Sequence, residues 1–373
     1  MLEPGRISVR QLIVVMLLIQ IGDMILVYPS LIAGAAQQDA WLASLIGIPF
    51  GLFTVWIMLQ LYKQAPGLTL IEGLGKIFGK WMGAILGLWY LFYFMVMAAI
   101  IVREAGDFLT TQILPETPIR VIHLILVVVL VWGIKYGLES LSRTGELLIP
   151  IVVMFIAFQV ICLLPQIEVA RLEPVFASGA KNIAAGATLA VAYPFGELLP
   201  VLMLIPYALN RPHRTRDLLV TALIGFLMLT MIVTVALMVL GPFFTQHNIY
   251  ASFILSQRIS IGNFLERIES VMATIWIIST YFKAVIYFYC FVLGSAQLFA
   301  LRSYRPIIMP SGMIIFGMAI ILAPTLTYYQ AIVSKYWVYW DLTCALVIPL
   351  CGLLVCYVRK RWSGQKLGEN TYN

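Results

Sequence analysis

The sequence predicts an all-α integral membrane protein, with ten transmembrane helices in an inverted 5+5 repeat and discontinuous helices 1 and 6. Three observations lead there. First, 62% of the residues are hydrophobic and 11% charged, against about 45–50% and 25% in soluble domains; the mean hydropathy is +0.96. Second, apolar runs of the length that a ~30 Å hydrocarbon layer requires recur ten times along the chain. Third, two of these runs are interrupted in their middles by a glycine beside a carboxylate. Each interrupted run is the first of a set of five.

The first run, at about 11–36, follows Arg6 and Arg10 and ends near Ala33-Gly34-Ala35-Ala36. It imitates a secretory leader, but its length and the break Ile21-Gly22-Asp23-Met24 mark it as a retained first helix. Runs at about 41–63, 82–113, 119–137 and 144–166 complete a first repeat, about 11–166. The sixth run, at about 184–209, is broken at Tyr193-Pro194-Phe195-Gly196-Glu197. With runs at about 217–241, 266–300, 306–327 and 337–358 it makes a second repeat, about 184–358. Residues 1–373 read as a single membrane domain. Two connections look ordered. Leu68 to Gly79 has amphipathic helical spacing and is expected along the inner interface. Gly241 to Leu265 contains a short helical stretch, Ile249 to Leu255, placed as a lid over an outer vestibule.

Charge sets the orientation. With the N-terminus inside, sixteen of the 24 Lys and Arg fall in inner segments, five in outer segments and three (Arg103, Arg267, Lys283) within runs. Both termini are therefore expected in the cytoplasm, and the net charge of +7 reads as a topology signal. It does not point to nucleic acid, which needs a basic face on a folded module. Because five is odd, the second set of runs enters the membrane from the opposite side to the first, as an inverted repeat requires.

Freed backbone groups survive in lipid only where they line a protein cavity. Paired breaks in two halves therefore point to a ligand site. Amides at a half-helix N-terminus attract a carboxylate, and free carbonyls accept an ammonium. The candidate ligand-binding residues are Ile21, Gly22, Asp23, Met24, Tyr193, Pro194, Phe195, Gly196 and Glu197. Phe94, Met97 and Ala98 on the third run, and Trp276, Ser279 and Thr280 on the eighth, join them by depth alone. For the Asp23 and Glu197 side chains, local helix capping is the simpler expectation; the loosened backbone is the better ligand candidate. Lys283 lies at a similar depth, so an ion pair with Glu197 or Asp23 is expected, static or switching. Nearer the outer surface, Arg103 and Asp107 are spaced i,i+4, with Glu104 between them. Glu266, Arg267 and Glu269 open the eighth run, and Arg103 is placed to bridge to Glu269.

The five cysteines form no CxxC pair and the three histidines lie in separate segments, so no disulfide framework, metal site or cofactor is expected. No nucleophile–base pair or phosphate loop is present, and an enzyme is not expected. Gly47/Gly51 and Gly83/Gly87 read as small-residue packing faces.

Several blocks resemble one family, the B subunit of the nutrient germinant receptors of endospore-forming bacteria. They are Leu114-Pro115-Glu116-Thr117-Pro118, Tyr136 to Arg143, Pro194-Phe195-Gly196-Glu197, and Arg267-Ile268-Glu269-Ser270 through Trp276 and Lys283 to Tyr287. That family belongs to the amino acid–polyamine–organocation permease superfamily. The resemblance implies a subunit in the spore inner membrane that binds a small germinant, often an amino acid, between helices 1, 3, 6 and 8. It also implies an A subunit and a lipoprotein C subunit as partners. The main alternative is an amino-acid transporter. Proton coupling through Lys283, Glu197 or Asp23 suits it better than sodium coupling, since Lys283 would repel a cation held at Ser279 and Thr280. A scaffold that binds nothing has no use for breaks in its helices.

Overall fold

The computed structural model describes residues 3, 5–209, 213–259, 268–323, 325, 328 and 336–369. The first broken run folds as α1 (Val9–Ile21) and α2 (Met24–Ala36). Ser8 and Gln11 start α1 with a reciprocal capping box, which satisfies two of its orphan amides. The helix stops at Gly22, whose backbone leaves the helical region. A long α3 (Ala40–Gln64) follows. Next comes α4 (Leu70–Phe78), capped by the Thr69/Glu72 box and buried along one face only. This is the amphipathic connection read from the sequence. The rest of the first half is α5 (Lys80–Phe108), α6 (Ile119–Lys135) and α7 (Gly137–Leu163).

The second half opens with α8 (Ala180–Val191), which widens into a π-turn over Ala192–Gly196 and resumes as the short α9 (Val201–Leu204). The helices α10 (Arg214–Leu240), α11 (Pro242–His247) and α12 (Ala251–Gln257) follow. The remainder is α13 (Ile268–Leu298), α14 (Ile308–Ile321), α15 (Val338–Leu342) and α16 (Ile348–Glu369). Glu266 and Arg267, named from the sequence, lie outside the described residues.

Seven helical stretches among the described residues, not ten, are long and apolar enough to cross a membrane on their own. The difference has local causes. The break leaves the first run as two 13-residue halves. The second of these continues through a single 3-10 turn into α3, so two expected runs merge into Met24–Gln64. The fourth run is a 17-residue helix, and the described part of the ninth is a 14-residue helix.

One continuous apolar core joins these elements, α11 apart. Its centre is α13, packed chiefly against α5 and also against α1, α6 and α7; α3 packs on α8 and α10. Two polar fastenings hold the ends. On the N-terminal side, Ile7 pairs in parallel with Ala208, through Ile7 N–H to Tyr207 O (3.0 Å) and Leu209 N–H to Ile7 O (2.9 Å). The buried Glu3 carboxylate there accepts from the Tyr289 and Tyr304 hydroxyls at 3.1 and 2.6 Å. Burial, with this hydrogen bond, raises the pKa of Tyr304 above the ordinary tyrosine value. On the opposite side, buried Asp39 accepts from Phe176 N–H and Ser178 N–H at 2.8 and 2.9 Å. That contact pins the 167–179 connection to the top of α3.

Candidate ligand and ion-coupling site

Two interruptions face one another across α13. At the first, Gly22 and Asp23 separate α1 from α2; at the second, the chain between Ala192 and Pro200 leaves α-helical geometry. The Lys283 ammonium of α13 bonds both the Asp23 Oδ1 and the Glu197 Oε2. All three side chains are withdrawn from solvent, Lys283 entirely. Gly22 is what lets the lysine through: a Cβ there would lie 2.6 Å from Lys283 Cδ.

Neither carboxylate caps a helix end. Asp23 makes no side-chain cap bond to α2, and Glu197 takes Lys283 and the Trp337 indole N–H (3.2 Å). Nor are the loosened carbonyls free. Ser279 Oγ donates to Gly22 O at 2.9 Å, Trp276 Nε1 to Asp23 O at 3.0 Å, and the Tyr287 hydroxyl to Glu197 O at 2.7 Å. One face of α13 therefore supplies a partner to these three carbonyls. The Thr280 hydroxyl, buried beside this row, has no partner.

The carboxylate cluster is larger than the sequence suggested. Glu104, read as part of an outer group, is buried and lies near enough to Asp23 for the two carboxyls to interact electrostatically. Its neighbour Arg103 stays in that outer group, with Asp107 at 2.8 Å and Ala323 O at 2.7 Å. Glu269 lies in the first turn of α13. Asp341 on α15 was missed altogether. It is buried, accepts from the Tyr93 hydroxyl at 2.5 Å, and leaves Oδ2 unpartnered. That oxygen lies against Gly196, where a Cβ would sit 1.9 Å away. A count of acidic residues inside apolar runs, made alongside the count of basic ones, would have found it. Glu104, Asp23, Lys283, Glu197 and Asp341 thus form a string of ionisable groups crossing α5, α1–α2, α13, the α8 break and α15.

Aromatic rings close this string on both sides. Above it, Phe108 meets Tyr250, Phe253 and Trp276 at centroid distances of 5.0, 5.3 and 4.6 Å. The Ser252 hydroxyl fastens α12 to Ile25 O of α2 at 2.7 Å. Below it, Tyr93 stacks on Trp337 at 5.6 Å and packs against Phe94 and Tyr287. Phe195 turns away from the cluster, over Gly51 and against Phe226. Ile21, Met24, Met97, Ala98, Tyr193 and Pro194 are buried at these same breaks and on α5.

This architecture is that of a multi-pass helical membrane protein. Its fold resembles that of MhsT, solved in complex with L-phenylalanine, with a TM-score of 0.69 at 13% identity, covering 95% of this chain and 99% of that one. The particular assignment comes from the sequence comparison. The spore permease family model, described as spore germination protein, matches residues 6–327, and the chain belongs to that family. Spore germination protein KB of Bacillus subtilis (strain 168) is 26% identical over 372 residues, 99% of each chain. Spore germination protein YndE of the same organism is 24% identical over 300 residues, 79% of this chain and 82% of that protein. Spore germination protein A2, also of that organism, is 25% identical over 331 residues, 85% of this chain and 86% of that protein. This membership fits a non-catalytic transport or receptor role.

Proposed function

We propose that this chain is a spore permease that binds a small amino acid at the two facing helix breaks and couples its movement to a proton. In this reading it is a ten-helix inverted repeat in the spore inner membrane with both termini in the cytoplasm. The ligand touches Gly22, Asp23, Gly196, Glu197 and the Ser279–Thr280 turn of α13. The observation that carries it is the shared ammonium: Lys283 joins the carboxylates of the two breaks. Four carboxylates surround that single cation in a closed, apolar interior, where net charge is costly. Such a cluster approaches neutrality only by holding protons. Opening to water on either side lets them go, which is what coupling requires. An amino acid reaches the break carbonyls by displacing Ser279, Trp276 and Tyr287, so ligand entry and release of α13 are one event. The fold likeness to MhsT supports the amino-acid class.

A second reading is favoured by the names of the relatives, all spore germination proteins. In it the same site senses an amino-acid germinant, and an A subunit and a lipoprotein C subunit read the state it selects. The ligand then shifts the equilibrium only by its differential affinity for the two states, and nothing need cross the membrane.

Uptake of labelled amino acids into proteoliposomes holding this chain alone, with and without an imposed pH gradient, separates the readings. Gradient-dependent uptake that is lost in Lys283→Gln supports the permease. Saturable binding without uptake moves the assignment to the sensor. Absence of both binding and uptake overturns the site.

A further inference from the structure

We propose that a groove between the ends of α3 and α10 is a binding site for one anionic phospholipid of the leaflet on the N-terminal side. The groove encloses about 520 Å³. Its upper wall is apolar, from Leu52 and Trp56 on α3 and Leu219 and Leu223 on α10. Its rim carries Lys63, His213 and Arg216, and no carboxylate lines it among the described residues. The Arg214 guanidinium lies 5.3 Å from the Tyr62 ring centre, which holds a further cation beside the rim.

Dimensions select the occupant. From Lys63 to Leu52 is eleven helical residues, about 16 Å of rise, close to one leaflet's share, about 15 Å, of the hydrocarbon layer. A ligand that fills the groove therefore has a charged end at the rim and a chain running beside Trp56 toward the bilayer centre. Trp56, Lys63, Arg216 and Val220 are all exposed, so the groove opens laterally, where lipid is the neighbour. The absence of a lining carboxylate decides the headgroup. A zwitterionic lipid brings its own cation to a rim that already holds Lys63 and Arg216, whereas a phosphodiester without one is attracted by both. Basic pockets between membrane helices are known to take anionic headgroups in this way. The site is separate from the buried cluster of Lys283 and does not depend on the permease reading.

The test uses the full chain in detergent, delipidated and then supplied with phosphatidylglycerol, phosphatidylcholine or inorganic phosphate, with bound lipid counted by native mass spectrometry. Phosphatidylglycerol should be retained preferentially. The double variant Lys63→Gln/Arg216→Gln should weaken that retention about thirtyfold, at about fivefold for each basic residue near an anionic headgroup. Both residues are exposed, so the variant is expected to fold; the wild-type comparison of the three ligands stands without it. Equal retention of both lipids would overturn the proposal. Competition by inorganic phosphate as strong as by phosphatidylglycerol would make the rim a simple anion site and overturn it too. Photocrosslinking from position 56 in native membranes that captures a protein chain rather than lipid would show that a partner helix is the occupant.

Discussion

Replacing Lys283 by Met keeps most of the side chain's volume and deletes only its ammonium. The magnitude follows from what it holds. Both carboxylates are buried, with side-chain exposures of 3% for Asp23 and 2% for Glu197. Removing one partner of a buried ion pair costs about 3–5 kcal/mol, because the other charge is left without compensation. Here one deletion strips two carboxylates, so the upper end of that range, about 5 kcal/mol, is expected. Lys63→Met on the exposed rim is the control and should stay within about 0.5 kcal/mol. The assay is unfolding in detergent followed by tryptophan emission, since Trp276 and Trp337 touch the cluster directly. Adding Asp23→Asn to the Lys283→Met background should restore part of the loss, with a coupling of about 0.5–3 kcal/mol. If Lys283→Met unfolds within about 1 kcal/mol of the wild type, the ammonium does not hold the two breaks together and the account of the site fails.

Gly196→Ala places a methyl 1.9 Å from Asp341 Oδ2; overpacking of this kind costs about 1–3 kcal/mol, read as earlier unfolding with loss of amino-acid binding. Asp341→Asn keeps an acceptor for the Tyr93 hydroxyl and removes one ionisable group, so the variant should fold normally while the pH-gradient dependence of uptake weakens. Glu3→Ala removes the acceptor of two tyrosine hydroxyls and should cost about 2 kcal/mol, seen as faster proteolysis near the N-terminus. Because the pKa of Tyr304 is raised in the fold, the unfolded tyrosine loses its proton first. The Tyr304–Glu3 fastening should therefore be fully present at neutral pH and weaken as pH rises above about 10, which limited proteolysis across that range would detect.

The helix breaks were legible because a glycine beside a carboxylate stands in the middle of an apolar run, where a charge is costly; the same pair nearer a run's end, at Gly106-Asp107 and Gly145-Glu146, stays within a continuous helix. The amphipathic α4 was legible from its spacing, and its Thr69/Glu72 box is a local pattern. What was not legible depends on rotation about helix axes. Ser279, Trp276 and Tyr287 fill the break carbonyls, a fact set by which face α13 turns inward. Glu104 was assigned to the outer group with Arg103, yet the two adjacent residues face different neighbours, as a 100° step per residue dictates. Asp341 sits in a run with three aromatic residues just before it and has no sequence-local partner; only folding brings it against Gly196. Ten apolar runs and seven long helical stretches among the described residues differ through lengths, because a helix with a break in its middle no longer has a crossing's worth of continuous turns.

The parallel pairing of Ile7 with the chain at Tyr207–Leu209 makes the two discontinuous segments share an anchor at their common end. They share a second in Lys283, at their middles. Two rods pinned at two points along their length move as one lever, not as a pair of independent gates. A tag, fusion or truncation that lifts residue 7 from its place leaves only the central pin. Each rod is then free to swing alone, and a protein so altered would report on the hinge and not on the native cycle.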